Sequence, residues 1–326
     1  MTQPLSTLRL AFLYLSITGF GQLLSADVTV DGRSQVVFAS EEKAREILTT
    51  HDEFVKNMSP VDRQLRLQAN RPVDLEEYLK FVEEQATEFR APEIAEITAI
   101  LASLRPQLRT YQGSWPDTVT FVRTTGREEN KAPHCRGNAI ILPASRLGSP
   151  EPLRQIIVHE LFHILSRQPD APRKELYSIV GFDQTSPIPL PQDLLHRKIT
   201  NPDAPTIDCV LTVGAPGKET HFAPVLTSKQ ANYETLENTS LFKELVFQLM
   251  PVTRTDDRWR PADETAGRRM WNANEVPELL TKAGRNTTYI IHPEEILADN
   301  FAHLVLETPD LPDPWVVQAI DKVLRP

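Results

Sequence analysis

The segment His159–His163 restricts what this chain can form more than any other feature, because it spells H-E-x-x-H. It lies in the run Pro152–Leu165, whose composition predicts a helix, with Ser149 as the N-cap and Pro150 as the first helical residue. Histidines four positions apart lie on one face of a helix, one turn from each other. Their imidazoles can therefore bind one zinc ion, and Glu160 lies beside it, where a carboxylate can activate water.

The alternative is that both histidines are ordinary residues of the core or the surface and that no metal binds. The residues around the motif are largely apolar and predict a buried helix: Ile156, Ile157, Leu161, Phe162, Ile164 and Leu165. Unpaired histidines and a glutamate on a buried helix are costly in free energy, and a metal ion removes that cost. We therefore expect one zinc ion, and metal analysis of the purified protein tests this expectation.

A catalytic zinc site needs a third protein ligand and one open position. The metzincin pattern requires a glycine and a histidine where this chain has Ser166 and Pro169, so that pattern is excluded. A second helix is predicted from Pro293, and Glu295 and Asp299 lie on one face of it. Glu295 is the predicted third ligand, and Asp299 is expected to accept a hydrogen bond from the outer nitrogen of a ligand histidine.

Four alternatives to this ligand set stay open. Glu295 and Asp299 could be a solvated helix face, because carboxylates near a helix N-terminus are favoured by its dipole. Glu294 is the next candidate for the third ligand, and Glu175 is a more distant one. Cys135 could also reach the metal as a thiolate.

The two motifs together resemble the gluzincin group of zinc metallopeptidases, in which H-E-x-x-H is followed by a later E-x-x-x-D. The stretch 294–302 is also similar to the glutamate helix of anthrax lethal factor-like proteases and of membrane-bound CAAX-type proteases. The resemblance covers roughly thirty residues in two pieces. It implies that His159, His163 and Glu295 bind zinc, that Glu160 is the general base and that Asp299 lies behind a histidine. The distance along the chain from His163 to Glu295 is far longer than in thermolysin-like or lethal factor-like enzymes.

An oxyanion donor is also suggested by this resemblance. Lethal factor-like proteases place a tyrosine shortly before the metal-binding glutamate, and Tyr289 is similarly placed. The alternative is that Tyr289 is an ordinary strand residue. His303 and Tyr177 are weaker candidates for the same role.

The predicted fold class is α+β, with a mostly helical N-terminal region at 27–115, a zincin-like catalytic domain at 116–326 and a β-containing insertion at about 183–285. Strands are expected at Gln35–Phe38, Thr118–Thr124 and Asn138–Pro143, and a hairpin at Ile207–Val213 and His221–Thr227. Helices are expected at Glu41–Val55, from Asp74 to about Phe89, after Pro92, from Pro293 to about Leu306 and at Trp315–Leu324. The strand at Asn138–Pro143 is either an edge strand that could pair with an extended peptide or an inner strand. Leu241–Met250 could be helix or strand.

The N-terminus predicts export. Arg9 followed by the apolar stretch Leu10–Leu24 indicates a signal peptide at residues 1–26, and a membrane anchor is the alternative. The protein would then be secreted or periplasmic, with no membrane contact after cleavage. In such a compartment Cys135 and Cys209 could form a disulfide.

Composition limits the partners. The net charge of −9 and the pI near 5.5 argue against nucleic acid, which requires a basic surface. The H-E-x-x-H motif and the resemblance to gluzincins imply an exported zinc metallopeptidase that acts on a peptide or protein substrate. The alternative is an exported, non-catalytic zinc-binding protein that docks a partner. The sequence leaves the oligomeric state open.

Overall fold

The computed structural model describes residues 28–111, 115–230, 239–263, 265 and 268–325. The strands are β1 (Gln35–Phe38), β2 (Ala86–Thr87), β3 (Thr118–Thr124), β4 (His134–Arg136), β5 (Ala139–Pro143), β6 (Phe182–Gln184), β7 (Cys209–Val213), β8 (Thr220–Ser228), β9 (Leu245–Thr255) and β10 (Arg258–Pro261). The helices are α1 (Glu41–Leu48), α2 (Glu53–Asn57), α3 (Pro60–Leu67), α4 (Leu75–Glu83), α5 (Ala91–Leu108), α6 (Pro150–Ser166), α7 (Arg173–Ile179), α8 (Gln192–Arg197), α9 (Leu241–Glu244), α10 (Pro277–Ala283), α11 (Pro293–Val305) and α12 (Pro314–Leu324). The fold is mixed α+β, as expected.

The first sheet has the strand order β1-β3-β5-β4, and β2 pairs with β3. Strands β1, β3 and β5 are parallel, whereas β4 runs antiparallel to β5. Alternate residues of β5 point to opposite faces: Ile140 and Leu142 join the main core, and Ala139 and Ile141 join a second cluster with α1 and α4. Both faces of this sheet are therefore covered, which explains the nearly continuous apolar run of β5.

The second sheet is antiparallel, with the order β10-β9-β8-β7-β6. The predicted hairpin is confirmed as β7 and β8. Leu211, Phe222 and Leu249 from one face of this sheet belong to the same apolar core as the motif helix α6. The sheet is therefore packed against the part of the molecule that carries the motif.

The strand at Asn138–Pro143 is an inner strand, because β5 pairs with β3 on one side and β4 on the other. The edge position belongs to β4. Its Cys135 N–H group donates a hydrogen bond of 2.8 Å to Asp203 Oδ1. The Asp203 side chain therefore already accepts from the Cys135 N–H group, which a peptide strand added at this edge would otherwise use.

Two helix predictions were too long. The helix expected at Glu41–Val55 is divided into α1 and α2, since Asp52 accepts a hydrogen bond from Val55 N and starts a new helix. The helix that follows Asp74 ends at Glu83, before β2 pairs with β3. The undecided segment Leu241–Met250 contains α9 and then the first part of β9.

The predicted signal peptide at 1–26 lies outside the described residues, so the export of the protein and its cellular location stay predictions. Within the described ranges, none of the helices combines the length and the apolar composition needed to cross a bilayer.

Candidate metal centre

Helices α6 and α11 carry the predicted ligands and pack against each other. Apolar side chains bury both helices, and the rings of Phe162 and Phe301 lie 5.5 Å apart between them. His159 and His163 are one turn apart on α6, with ring centroids separated by 4.8 Å. Glu295 lies in the first turn of α11. The packing of two buried helices therefore brings together residues that are far apart in the sequence.

The three predicted ligands form one group, with their ligand atoms within 4.8 Å of one another. Glu295 Oε2 lies 3.2 Å from His159 Nε2 and 3.6 Å from His163 Nε2. Tetrahedral zinc at ordinary bond lengths separates such donors by about 3.3 Å. His163 Nε2 is buried and has no hydrogen-bond partner among the described residues. A metal ion would satisfy that nitrogen, so the side chains fit a zinc ion.

Carboxylates accept hydrogen bonds from the Nδ1 atoms of both imidazoles, on the side away from Glu295. His159 Nδ1 donates to Asp299 Oδ1 at 2.9 Å, as expected. His163 Nδ1 donates to Glu294 Oε1 at 3.2 Å. In the neutral imidazoles these bonds place the proton on Nδ1 and leave the lone pair of each Nε2 atom facing Glu295, which is the tautomer that metal binding requires. When His159 carries a second proton, its Nε2 atom donates to Glu295 Oε2 at 3.2 Å. Glu294 is therefore a supporting residue here and not the third ligand.

Three further side chains fix the orientation of the two carboxylates. Asn201 Nδ2 donates to Glu295 Oε1 at 2.6 Å, so that Oε2 is the oxygen turned to the histidines. Glu294 Oε2 accepts a hydrogen bond of 2.7 Å from Tyr177 and lies 3.8 Å from Arg173. The chain therefore fixes the orientation of both glutamates.

The charges of the centre favour a cation. Burial opposes protonation of His159, but its hydrogen bonds to Asp299 and Glu295 raise its pKa to about 10. Burial likewise opposes ionisation of Glu295, yet the neighbouring His163 and His159 hold its pKa well below the ordinary value. Without a metal, protons on the imidazoles compensate the carboxylates. A divalent cation can replace these protons.

Glu160 is buried beside the ligands and lines the same cleft. Cys135 Sγ donates a hydrogen bond of 3.2 Å to Glu160 Oε2. A carboxylate oxygen of Asp203 lies within 4.8 Å of both side chains, so these three residues form a cluster separate from the three predicted ligands. Burial and then the charge of Asp203 raise the pKa of Glu160 to about 7. A cation bound by the histidines would lower that pKa and favour the ionised form, which can accept a proton.

A cleft of about 310 Å³ opens next to the ligands. Its lining includes His159, Glu160, Glu295, Asp299 and Tyr289. The ring centroids of Tyr289 and His159 are 6.5 Å apart, and the tyrosine is 42% exposed. Tyr289 therefore stays a candidate for contact with a substrate.

The weaker candidates for the oxyanion donor lie elsewhere. The hydroxyl of Tyr177 is buried behind His163, where it donates to Glu294. The ring nitrogens of His303 contact Thr308 Oγ1 and the carbonyl oxygen of Asn286, each at 3.2 Å. Neither residue lines the cleft.

The remaining alternatives are corrected by the structure. Glu175 is exposed on α7 and does not belong to the ligand group. Cys135 and Cys209 are both free thiols, so the disulfide that the sequence left open is not formed. Cys135 contacts the general-base candidate rather than joining the three ligands.

A second set of possible metal ligands, formed by Asp208, Cys209 and His292, fits a hydrogen-bonded cluster better than a metal site. His292 Nδ1 accepts a hydrogen bond of 3.2 Å from Glu294 N–H. A neutral imidazole that accepts at Nδ1 carries its proton on Nε2. This proton points to Cys209 Sγ at 3.5 Å, so the nitrogen has no lone pair for a metal.

Comparison of the chain with protein-family models, with curated proteins and with solved structures found no significant match. The functional conclusion therefore rests on the motifs and on the geometry of this centre.

Proposed function

We propose that this chain is an exported, zinc-dependent metallopeptidase with a zincin-like catalytic domain and one catalytic zinc ion. The observation that supports it most strongly is the meeting of His159, His163 and Glu295 next to an open cleft that Glu160 also lines. Among the described residues, no fourth histidine, cysteine or carboxylate belongs to this ligand group. Three protein ligands with an open position are typical of catalytic rather than structural zinc.

Each side chain of the centre has a separate role in the proposed hydrolysis. Zinc bound at such a site lowers the pKa of water and polarises a carbonyl group. Glu160 accepts the proton from the attacking water and passes it to the leaving amine, so that peptide-bond cleavage yields a carboxylate and an amine. Tyr289, at the cleft, is proposed to donate a hydrogen bond to the carbonyl oxygen as negative charge develops on it. Asp299 and Glu294 orient the two imidazoles.

The test combines metal analysis with cleavage of an unbiased peptide library. We expect wild-type protein to contain one equivalent of zinc and to cleave library peptides. Glu160→Gln should keep its zinc and lose about 10²–10⁴-fold in rate, the usual contribution of a general base. The matched control is Glu151→Gln, the same change at an exposed position of α6, which should keep both properties.

Other results would decide against parts of the proposal. Wild-type rates in Glu160→Gln would remove Glu160 as the base. A zinc-loaded wild type that cleaves no peptide would favour the non-catalytic zinc-binding protein. The absence of bound metal after incubation with zinc would refute both functions.

A further inference from the structure

A groove of about 390 Å³ shares no lining residue with the cleft of the metal centre. Its apolar lining consists of Pro187, Ile188, Pro189, Leu190, Leu195 and Ile207. This set includes most of the proline-rich stretch 186–191, which the metal centre does not use. Leu195 is 45% exposed although it is a large apolar side chain. We call this surface the Lys198 groove, because Lys198 is the one charged residue among the described residues that line it.

Lys198 is unusual for a lysine because it is buried, with 7% of its surface exposed. Its Nζ atom donates to two backbone carbonyls, Asn57 O at 3.2 Å and Pro205 O at 3.4 Å. An ammonium group has three donors, so these two bonds leave one donor without a partner among the described residues. No described carboxylate pairs with this lysine, and burial alone lowers its pKa to about 8.

A buried charge is normally paired, because removing it from water is costly and a partner of opposite charge offsets that cost. Here the described protein supplies carbonyl dipoles but no counter-charge. The matching partner is an anion that approaches through the groove. One ammonium suits one negative charge, which favours a carboxylate over a doubly charged phosphate. The apolar walls favour an apolar body attached to it.

We propose that the Lys198 groove binds a small organic carboxylate with an apolar body, whose carboxylate pairs with the Lys198 ammonium. This proposal does not depend on the peptidase function. The volume of the groove lies within the usual range for ligand pockets, which is about 300–1,000 Å³, and is near its lower end. The carbonyls of Asn57 and Pro205 hold the ammonium in place before the ligand arrives.

The test uses the full chain and three probes that separate charge from apolar area. Decanoate carries both features, decanol only the apolar chain, and acetate only the carboxylate. We expect decanoate to raise the melting temperature in a concentration-dependent way and to bind measurably in calorimetry. Decanol should bind at least about 10-fold more weakly, since a hydrogen bond to a charged group typically has a net value of about 1.5–3 kcal/mol. Acetate should also bind at least about 10-fold more weakly, because it lacks the apolar chain and each buried methylene contributes about 0.8 kcal/mol. Equal binding of decanoate and decanol would overturn the proposed ion pair.

Two variants locate the site. Lys198→Met keeps the length of the side chain and removes the charge, and should bind decanoate at least about 10-fold more weakly. It should also melt at a higher temperature than the wild type, because an unpaired buried charge is removed. Lys174→Met, at an exposed lysine of α7, is the matched control and should behave as the wild type.

A purely structural lysine would give the opposite pattern. Lys198→Met would then melt at a lower temperature, because two carbonyls lose their donor, and decanoate binding would be unchanged. Unchanged binding would also reveal a carboxylate bound elsewhere, including at the metal centre, and would overturn the proposal. If Lys198→Met does not fold, Leu195→Glu tests the proposal instead. This variant places a negative charge at an exposed position of the groove, and it should repel decanoate. Wild-type affinity in Leu195→Glu would also overturn it.

Discussion

The hydrogen bond between His159 and Asp299 gives a quantitative test of the metal centre. His159 Nδ1 and Asp299 Oδ1 are 2.9 Å apart, and their side chains are 16% and 23% exposed. We expect Asp299→Ala to weaken zinc binding, because the imidazole loses the acceptor that fixes its tautomer and its ring orientation.

The size of the effect follows from the bond that is lost. A hydrogen bond to a charged group typically has a net value of about 1.5–3 kcal/mol. The partial exposure of Asp299 places this bond near the lower limit, because solvent screens it. A loss of about 1.5–2 kcal/mol corresponds to a roughly 10–30-fold weaker affinity for zinc. Asp299→Asn should lose less, because an amide oxygen can still accept from Nδ1.

The assay is a competition for zinc between the protein and a chromophoric chelator. Glu278→Gln is the control, because it removes one negative charge from an exposed position on α10. If Asp299→Ala binds zinc within twofold of this control, Asp299 does not support the metal ligand and the geometric reasoning is wrong. Loss of folding is monitored in parallel by circular dichroism.

Three further results are expected. Cys135→Ala should lower kcat more than it changes KM, because the thiol no longer positions Glu160. Cys135→Ser should restore much of the rate, because a hydroxyl can also donate to Glu160. Equal losses of rate in the two variants would contradict this role. Burial lowers the pKa of His134 to about 3, below its unfolded value of about 6.5, so stability should fall as the pH decreases from 6.5. His134→Gln should reduce that slope by at most about 1.4 kcal/mol per pH unit, measured by urea unfolding at pH 7, 6 and 5. Phe162→Ala should cost about 3–5 kcal/mol in the free energy of unfolding, because the ring is fully buried against Phe301; a cost below 1 kcal/mol would disprove tight packing.

Helical periodicity explains why the ligands could be predicted. His159 and His163 on α6, and Glu295 and Asp299 on α11, are each four residues apart. That spacing determines which side chains share a face in any helix, whatever surrounds it. The helices themselves follow from local signals, such as the prolines at their first positions.

The supporting residues carry no comparable signal. Asn201 and Asp203 belong to an irregular segment between α8 and β7, and nothing in their spacing indicates contact with Glu295 or Cys135. Glu294 was the next candidate for the third ligand, and it carries the same carboxylate as its neighbour Glu295. The rotation of α11 about its own axis, which is determined by its packing on α6, places Glu294 beside the Nδ1 atom of His163 instead.

The amino-acid sequence by itself determined the two helices of the centre and the residue types on their facing sides, because both depend on interactions within one or two turns. Tertiary packing alone decided that α11 meets α6, that a thiol lies beside Glu160, and that Lys198 is buried without a described counter-charge. These features depend on how the loops and the second sheet close around the helices. The sum of many weak, long-range contacts determines that closure, and no local pattern encodes it.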